Sequence, residues 1–359
     1  MELSAIQKQI VTTDANQVVV VAAAAAGKTR VLTERVRYLL NDKKVDPSKI
    51  VVITFTNAAA EELATRLGHP QGLFIGTIHS YANGLLLAAG VDTSKYLSEE
   101  KFDELFRLVK KNPQCIKSVK HLLLDEAQDS TPEQFQFLLD MVLPDNYMLV
   151  GDYRQSIYRF AGATPDYLLE LIEDPAVTTY DLNENYRNGS RILDYGRRLI
   201  NMAGYEYIDY SIAMAPYDGQ VIETPYSARA IAESIKRRVE SGKATYGSWF
   251  VLCRTNAQVD DVCWALKNEK IPYDTFKRAQ LDQNEFNKKM EEDTVKVLTI
   301  HTSKGLEADN VIVVGARFFN VEEKCINYVA ATRAKKLLVW TQNAKRNPGR
   351  NVIRTTNWD

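Results

Sequence analysis

The sequence predicts an α/β protein of two lobes, each a mostly parallel sheet flanked by helices. Three observations carry that expectation. Short β-rich apolar runs alternate with helical patterns along the chain, the arrangement of parallel strands covered by helices. One run, Val18 to Ala26, ends abruptly in Gly27-Lys28-Thr29-Arg30, which reads as a strand, a tight small-residue loop and a helix start. The chain has 359 residues, which by the usual length relation supports about two domains.

The expected strands of the first lobe are 18–22, 50–54, 73–77, 122–125 and 147–151; those of the second are 248–254, 295–300, 311–315 and 337–341. Asp174-Pro175 and the polar stretch near Leu182–Glu184 mark a boundary, so the lobes are expected over 1–181 and 182–359. A hydrophobic content of 45% suffices for two buried cores. The four cysteines, Cys115, Cys253, Cys263 and Cys325, lack metal-ligand or Cys-x-x-Cys spacing and read as reduced core thiols of a cytoplasmic protein. The longest apolar run falls far short of the roughly 20 residues of a bilayer span, and no cleavable leader pattern opens the chain, so neither a membrane nor a secreted protein is expected. With a net charge of −1, no global basic field points to nucleic acid; any such contact has to come from a local groove.

The loop Ala22-Ala23-Ala24-Ala25-Ala26-Gly27 suits a nucleotide's phosphates. Backbone N–H groups of such a loop converge on them, the next helix presents its positive end, Lys28 adds a mobile cation and Thr29 offers a hydroxyl to Mg²⁺. Taken alone, an Ala-rich run is also a packed strand. Phosphate loops usually carry further glycines where this one has Ala23 and Ala25, and an alanine in the left-handed conformation costs about 1–2 kcal/mol. A slightly strained or reshaped loop is therefore expected. A second element, His121 to Asp129, is an apolar strand ending in paired carboxylates, with Asp125 expected on the metal and Glu126 as general base for an attacking water. A lone Asp-Glu pair would read as a solvated strand cap; Lys28 and Thr29 upstream decide for ATP and Mg²⁺.

Further segments follow in a recognisable order. They are Leu3-Ser4-Ala5-Ile6-Gln7, the phosphate loop, Thr54 to Leu63, Gly76-Thr77-Ile78-His79-Ser80, Asp125 to Asp129, Val150 to Phe160 and Leu182 to Arg187. Arg254 to Gln258, Leu298 to Glu307 and Tyr328 to Ala334 complete the set. In this order the chain resembles superfamily 1 DNA helicases of the UvrD/Rep/PcrA type, which implies two RecA-like lobes of the P-loop NTPase kind.

The resemblance implies roles as well. Gln7 would read the adenine, with Arg30 and Tyr186 on its two faces and Glu307 also at the nucleotide; planar guanidinium and aromatic groups stack well on a base. Gln155 would sense the γ-phosphate. Arg187 and Arg333 would act as arginine fingers, a device worth about 10³–10⁵ in rate. Phe55, Tyr158 and Phe160 would stack on bases, each contributing roughly 1–3 kcal/mol, while Thr56, Asn57, Thr77, His79, Asn256 and His301 would take the strand's polar groups. Each of these residues alone also reads as core packing, a surface salt bridge or a strand-end cap. Phe160-Ala161 stands where the family commonly has tryptophan and arginine, so the stacking would be weaker and the arginine's polar grip on the strand would be missing.

Relatives carry large insertions that are short here. Only Tyr81 to Lys120 separates the His79-Ser80 segment from the acid pair, leaving a remnant around 82–120, and only Asp274 to Thr294 follows Ile271-Pro272-Tyr273. The segment 341–348 looks too short for a long duplex-splitting hairpin. The expectation is a minimal ATP-driven motor on single-stranded DNA and tailed duplex DNA, moving 3′→5′, with a loading or accessory protein supplying what is reduced. Two other readings stay open: a DNA-stimulated ATPase that remodels nucleoprotein without separating strands, and an ATP-gated DNA-binding switch.

Overall fold

The computed structural model describes residues 2–204, 207–276 and 283–342. The chain divides into two compact units, Met1–Asn183 and Glu184–Asp359.

In the first unit six parallel strands form one sheet: β1 (Gln17–Ala22), β2 (Ile50–Ile53), β3 (Phe74–Gly76), β4 (His121–Leu124), β5 (Asn146–Gly151) and β6 (Thr178–Leu182). Their spatial order is β3-β2-β4-β5-β1-β6. Alternate residues of each strand enter opposite faces. Val19, Val21, Val51, Ile53, Leu122, Leu124 and Leu149 belong to one core; Val18, Val20, Ala22, Val52, Leu123, Met148 and Val150 belong to the other. A strand covered on both faces must be apolar throughout, which is why β1, β2 and β4 are legible as uninterrupted runs. From β1 the chain crosses over β5 and β4 to reach β2, while β5 connects to β6 in the other direction, a reversal of the kind whose carboxyl ends suit a ligand.

The helices α1 (Ala5–Thr12), α2 (Lys28–Asn41), α3 (Asn57–Leu67) and α4 (Ile78–Ala88) start with caps set by the sequence. Ser4 and Gln7 form a reciprocal capping box on α1; Thr56 and Thr77 cap α3 and α4 through their hydroxyls. The short stretch before β4 forms α5 (Ser94–Ser98) and α6 (Glu104–Lys111). Leu105, Phe106 and Val109 of α6 sink into the unit's own core, so this remnant is packed down onto the sheet layer.

In the second unit β7 (Glu184–Asn185) pairs with β8 (Ile212–Ala213). The main sheet contains β9 (Gln220–Pro225), β10 (Trp249–Cys253), β11 (Tyr273–Thr275), β12 (Val295–Thr299), β13 (Ala308–Val314) and β14 (Ala334–Gln342), all parallel, in the order β11-β12-β10-β13-β14-β9. The segment after Tyr273 is pinned at both ends. Thr294 donates to Asp274, and the fully buried Lys296 ammonium donates to Thr294 Oγ1 (2.6 Å) and the Glu292 carbonyl (2.7 Å).

The strand expectations omit the two-residue β7 and β8 and, within the two large sheets, β6, β9 and β11. The latter three lie at sheet edges, where polar residues such as the Thr178-Thr179-Tyr180-Asp181 run of β6 are tolerated and the apolar signal is lost. Leu182, placed by sequence at the start of the second lobe, pairs with Ala22 and ends β6. The expectation that 341–348 is too short for a long hairpin falls, from residue 343 onward, outside the described residues. All four cysteines are buried, and none forms a disulfide among the described residues.

Candidate functional site

Between β1 and α2 the chain turns tightly, with the Ala26 N–H donating to the Ala23 carbonyl at 3.2 Å. Ala25, not Ala23, takes the left-handed conformation at φ +56°. Gly27 caps α2 at φ +87°, and a Cβ there would meet Gln7 Nε2 at 3.1 Å. Gln7 is buried as a brace: its Oε1 accepts the Ser4 N–H (3.1 Å) and its Nε2 donates to the Ala26 carbonyl (3.3 Å). Arg30 lies half-buried in the first turn of α2.

At the ends of β4 and β5 the polar groups form one network. Lys28 Nζ lies 3.0 Å from Glu126 Oε1 and donates to Oε2 at 3.1 Å. Burial opposes the lysine's charge, but the carboxylates of Glu126, Asp125 and Asp152 outweigh it and hold the ammonium above the ordinary lysine range. The Asp125 carboxylate accepts the Glu126 N–H (2.9 Å), and Glu126 itself is held at φ +51°, a strained conformation typical of functional turns.

Gln128 and Asp152 join this network although the sequence assigned them no role. Gln128 is fully buried; its Oε1 accepts the Asp152 N–H (2.9 Å), which leaves Nε2 to donate to Glu126 Oε2 (2.6 Å) and Asp129 Oδ2 (3.3 Å). A backbone N–H can only donate, so the amide's orientation is decided. The Asp152 carboxylate in turn accepts Arg154 Nε (2.6 Å) and Gln155 Nε2 (2.7 Å). A continuous polar path thus runs Lys28, Glu126, Gln128, Asp152, Gln155. Gln128 and Asp152 both lie inside segments that the motifs mark; their tie depends on β4 and β5 being neighbours.

No group of three or more His, Cys, Asp or Glu poised for a metal exists among the described residues. A Mg²⁺ carried in with nucleotide phosphates needs only one or two protein oxygens, so the buried Asp125 carboxylate and the Thr29 hydroxyl at the start of α2 are a donor set that fits it.

The same end of the first sheet carries the expected strand-binding aromatics. Phe55, 41% exposed, stacks on Tyr158 at 5.1 Å between ring centroids, and Phe160, 72% exposed, meets the Tyr158 edge at 6.0 Å. Tyr158 is 5% exposed and props up the other two rings. His79 stacks on Phe106 (5.2 Å), touches Phe102 (5.6 Å) and lies 3.4 Å from Asp103. Phe55, Thr77, His79, Asp125 and Glu126 line one cavity of about 60 Å³. Thr56 and Thr77 are helix caps, and Asn57 is exposed in the first turn of α3.

The remaining expected residues belong to the second unit. Arg187 Nε donates to Glu307 Oε2 and its Nη1 to the Thr332 carbonyl (3.3 Å). Arg333 is buried, donating to the carbonyls of Val329 (3.0 Å) and Leu306 (3.3 Å). Tyr186 donates its hydroxyl to Glu184 (2.8 Å). Asn256 is exposed in the first turn of the helix Asn256–Asn268, and His301 is half-buried just beyond β12.

Comparison with known proteins identifies the family of the chain. The family model described as the UvrD/REP helicase N-terminal domain matches residues 3–112 and 100–176, and that of the UvrD-like helicase C-terminal domain matches 274–345. An ATP-dependent DNA helicase PcrA from Staphylococcus epidermidis is 24% identical over 74% of this chain and 50% of its own length. A probable DNA helicase of Mycoplasma pneumoniae is 25% identical over 92% of this chain and 82% of its own. An ATP-dependent DNA helicase Rep of Buchnera aphidicola is 25% identical over 78% and 58%, respectively. The chain spans about half the length of several relatives it matches. Both of its units carry matched segments of one family, and the chain belongs to the UvrD/Rep helicase family.

Proposed function

We propose that this chain is an ATP hydrolase that drives itself along single-stranded DNA in the 3′→5′ direction and separates the strands of tailed duplexes. The observation that carries the reading is the Lys28–Glu126 contact of 3.0 Å, joining a phosphate loop to a carboxylate at the carboxyl edge of one sheet. An incoming triphosphate competes for the Lys28 ammonium. Once Lys28 turns to phosphate oxygens, Glu126 loses its cation and becomes available to orient and deprotonate water. Gln128 keeps the released carboxylate in place through its Nε2 donor. Thr29 and Asp125 would hold Mg²⁺, which when bound neutralises charge on the phosphates. Gln155, tied to Asp152, and the arginines Arg187 and Arg333 complete the set for the γ-phosphate, Gln7, Arg30 and Tyr186 serve the rest of the nucleotide, and Glu307 reaches it through Arg187.

Phe55 and Phe160 present aromatic faces that stack on any base, and Thr56, Asn57, Thr77, His79, Asn256 and His301 suit the sugar-phosphate chain. The aromatic pair follows β2 and β5, and β5 also leads into Asp152 and Gln155, so a change at the phosphates has a short covalent route to the strand. The test is ATP hydrolysis with and without single-stranded DNA for the wild type and Glu126→Gln. Strong stimulation of the wild type, with near loss of turnover and retained DNA binding in the variant, is expected. A wild type that hydrolyses no ATP with DNA present would refute the reading. On duplexes, opening of a 3′-tailed but not a 5′-tailed substrate is the expected result.

One observation favours a second reading, a DNA-stimulated ATPase that moves or remodels nucleoprotein without unwinding alone. The segment before β4 is folded down, with α6 in the core, and provides no projecting subdomain of its own. Equal inertness on both tailed duplexes beside vigorous DNA-stimulated hydrolysis would select it. A pure ATP-gated switch has no use for the full hydrolytic set.

A further inference from the structure

The Glu307 carboxylate is shared by two cations. Its Oε2 accepts Arg187 Nε, and its Oε1 lies 2.6 Å from Lys335 Nζ. These residues come from three places: the turn after β7, the residue before β13 and the first residues of β14. Arg187 is held on every side but one. Its backbone N–H donates to Asn185 Oδ1 (3.0 Å), its carbonyl accepts the Tyr217 hydroxyl (2.7 Å) and Nη1 donates to the Thr332 carbonyl. Among the described residues its Nη2 makes no hydrogen bond. Lys335, similarly, has Glu307 as its ammonium's one partner among the described residues.

An arginine with Nε and Nη1 engaged and Nη2 open is oriented to deliver one donor edge to an oxyanion. A lone Arg–Glu pair would be neutral and would attract a polyphosphate weakly. Here two cations face one carboxylate, so the trio keeps a positive charge. Burial pushes the Glu307 carboxyl up, yet Arg187 and Lys335 outweigh it and keep it ionised below the ordinary glutamate range.

We propose that Glu307 is the positioning residue of Arg187, acting on the nucleotide through that guanidinium, and that Lys335 keeps the trio cationic so that it turns toward the triphosphate. This rests on the proposed role of Arg187 in ATP hydrolysis. The polyphosphate is the ligand chemistry; Glu307, an anion, is the support and not itself the phosphate contact.

The experiment is a double-mutant cycle on steady-state ATP hydrolysis by the full chain at saturating single-stranded DNA. Arg187→Ala is expected to lower kcat by about 10³-fold. Glu307→Gln should lower kcat by about 10–100-fold with little change in KM, as a misaimed group does. Added to Arg187→Ala, Glu307→Gln should cost nothing further. Glu307→Asp should recover part of the loss, since it keeps the charge on a shorter arm, and Lys335→Gln should mainly raise KM for ATP. Thermal melting of each variant separates lost turnover from lost fold. Losses that multiply in the double variant, or wild-type kcat in Glu307→Gln, would overturn the positioning role alone. Wild-type kcat in Arg187→Ala would instead overturn the arginine assignment beneath it.

Discussion

Gly151 ends β5 against the buried amide of Gln128, and one methyl group there tests the whole network. A Cβ on Gly151 would lie 2.8 Å from Gln128 Oε1, 3.1 Å from Leu168 Cδ2 and 3.3 Å from the Ala127 nitrogen. The backbone at 151 is outside the left-handed region, so alanine brings no φ strain and its cost is the collision. Overpacking costs roughly 1–3 kcal/mol, and each buried polar atom left unpaired costs about 1–3 kcal/mol. Gln128 can escape only by giving up the Asp152 N–H or Glu126 Oε2, so Gly151→Ala should lose about 3 kcal/mol in chemical denaturation. Displacing Glu126 by ~1 Å should also reduce kcat about 100-fold. The diagnostic background is Gln128→Ala, which removes the amide and opens the space. There Gly151→Ala should cost less than about 1 kcal/mol, because the two changes act on the same pair of neighbours. Costs that add within about 0.5 kcal/mol, or a Gly151→Ala protein as stable and active as the wild type, would refute the steric link.

Two further outcomes are expected. Ala25→Gly relieves a left-handed alanine worth about 1–2 kcal/mol at the expense of about 0.5–1 kcal/mol of chain entropy, so a small rise in melting temperature is expected, and a fall would show the loop to be unstrained. His121, half-buried at the start of β4, has its imidazole pulled down from 6.5 to about 4 by burial, then by Arg35 and Lys120. The unfolded chain therefore takes up the proton first as pH falls: the stability present above 6.5 is lost progressively toward pH 4 and no further below it. Denaturation midpoints of His121→Gln should be flatter across that window, and identical pH slopes would remove His121 as their cause.

The covered strands and the turns at their ends were legible from residue order alone. Val18–Ala22 and Leu122–Leu124 are buried on both faces, so burial demands unbroken apolar runs, and the abrupt change to Gly27-Lys28-Thr29 or Asp125-Glu126 marks where the strands end. Helix starts at Ser4, Thr56 and Thr77 were equally local, because a cap bonds within three residues. The edge strands β6, β9 and β11 emerged only on assembly, since their half-exposed positions accept polar residues. The partnerships emerged there too: Gln128 meets Asp152 because β4 lies beside β5, and Arg187 meets Glu307 across 120 residues of sequence. Local patterns report how deeply a residue is buried; which distant group satisfies its hydrogen bonds follows from strand order, and strand order is a property of the assembled sheet.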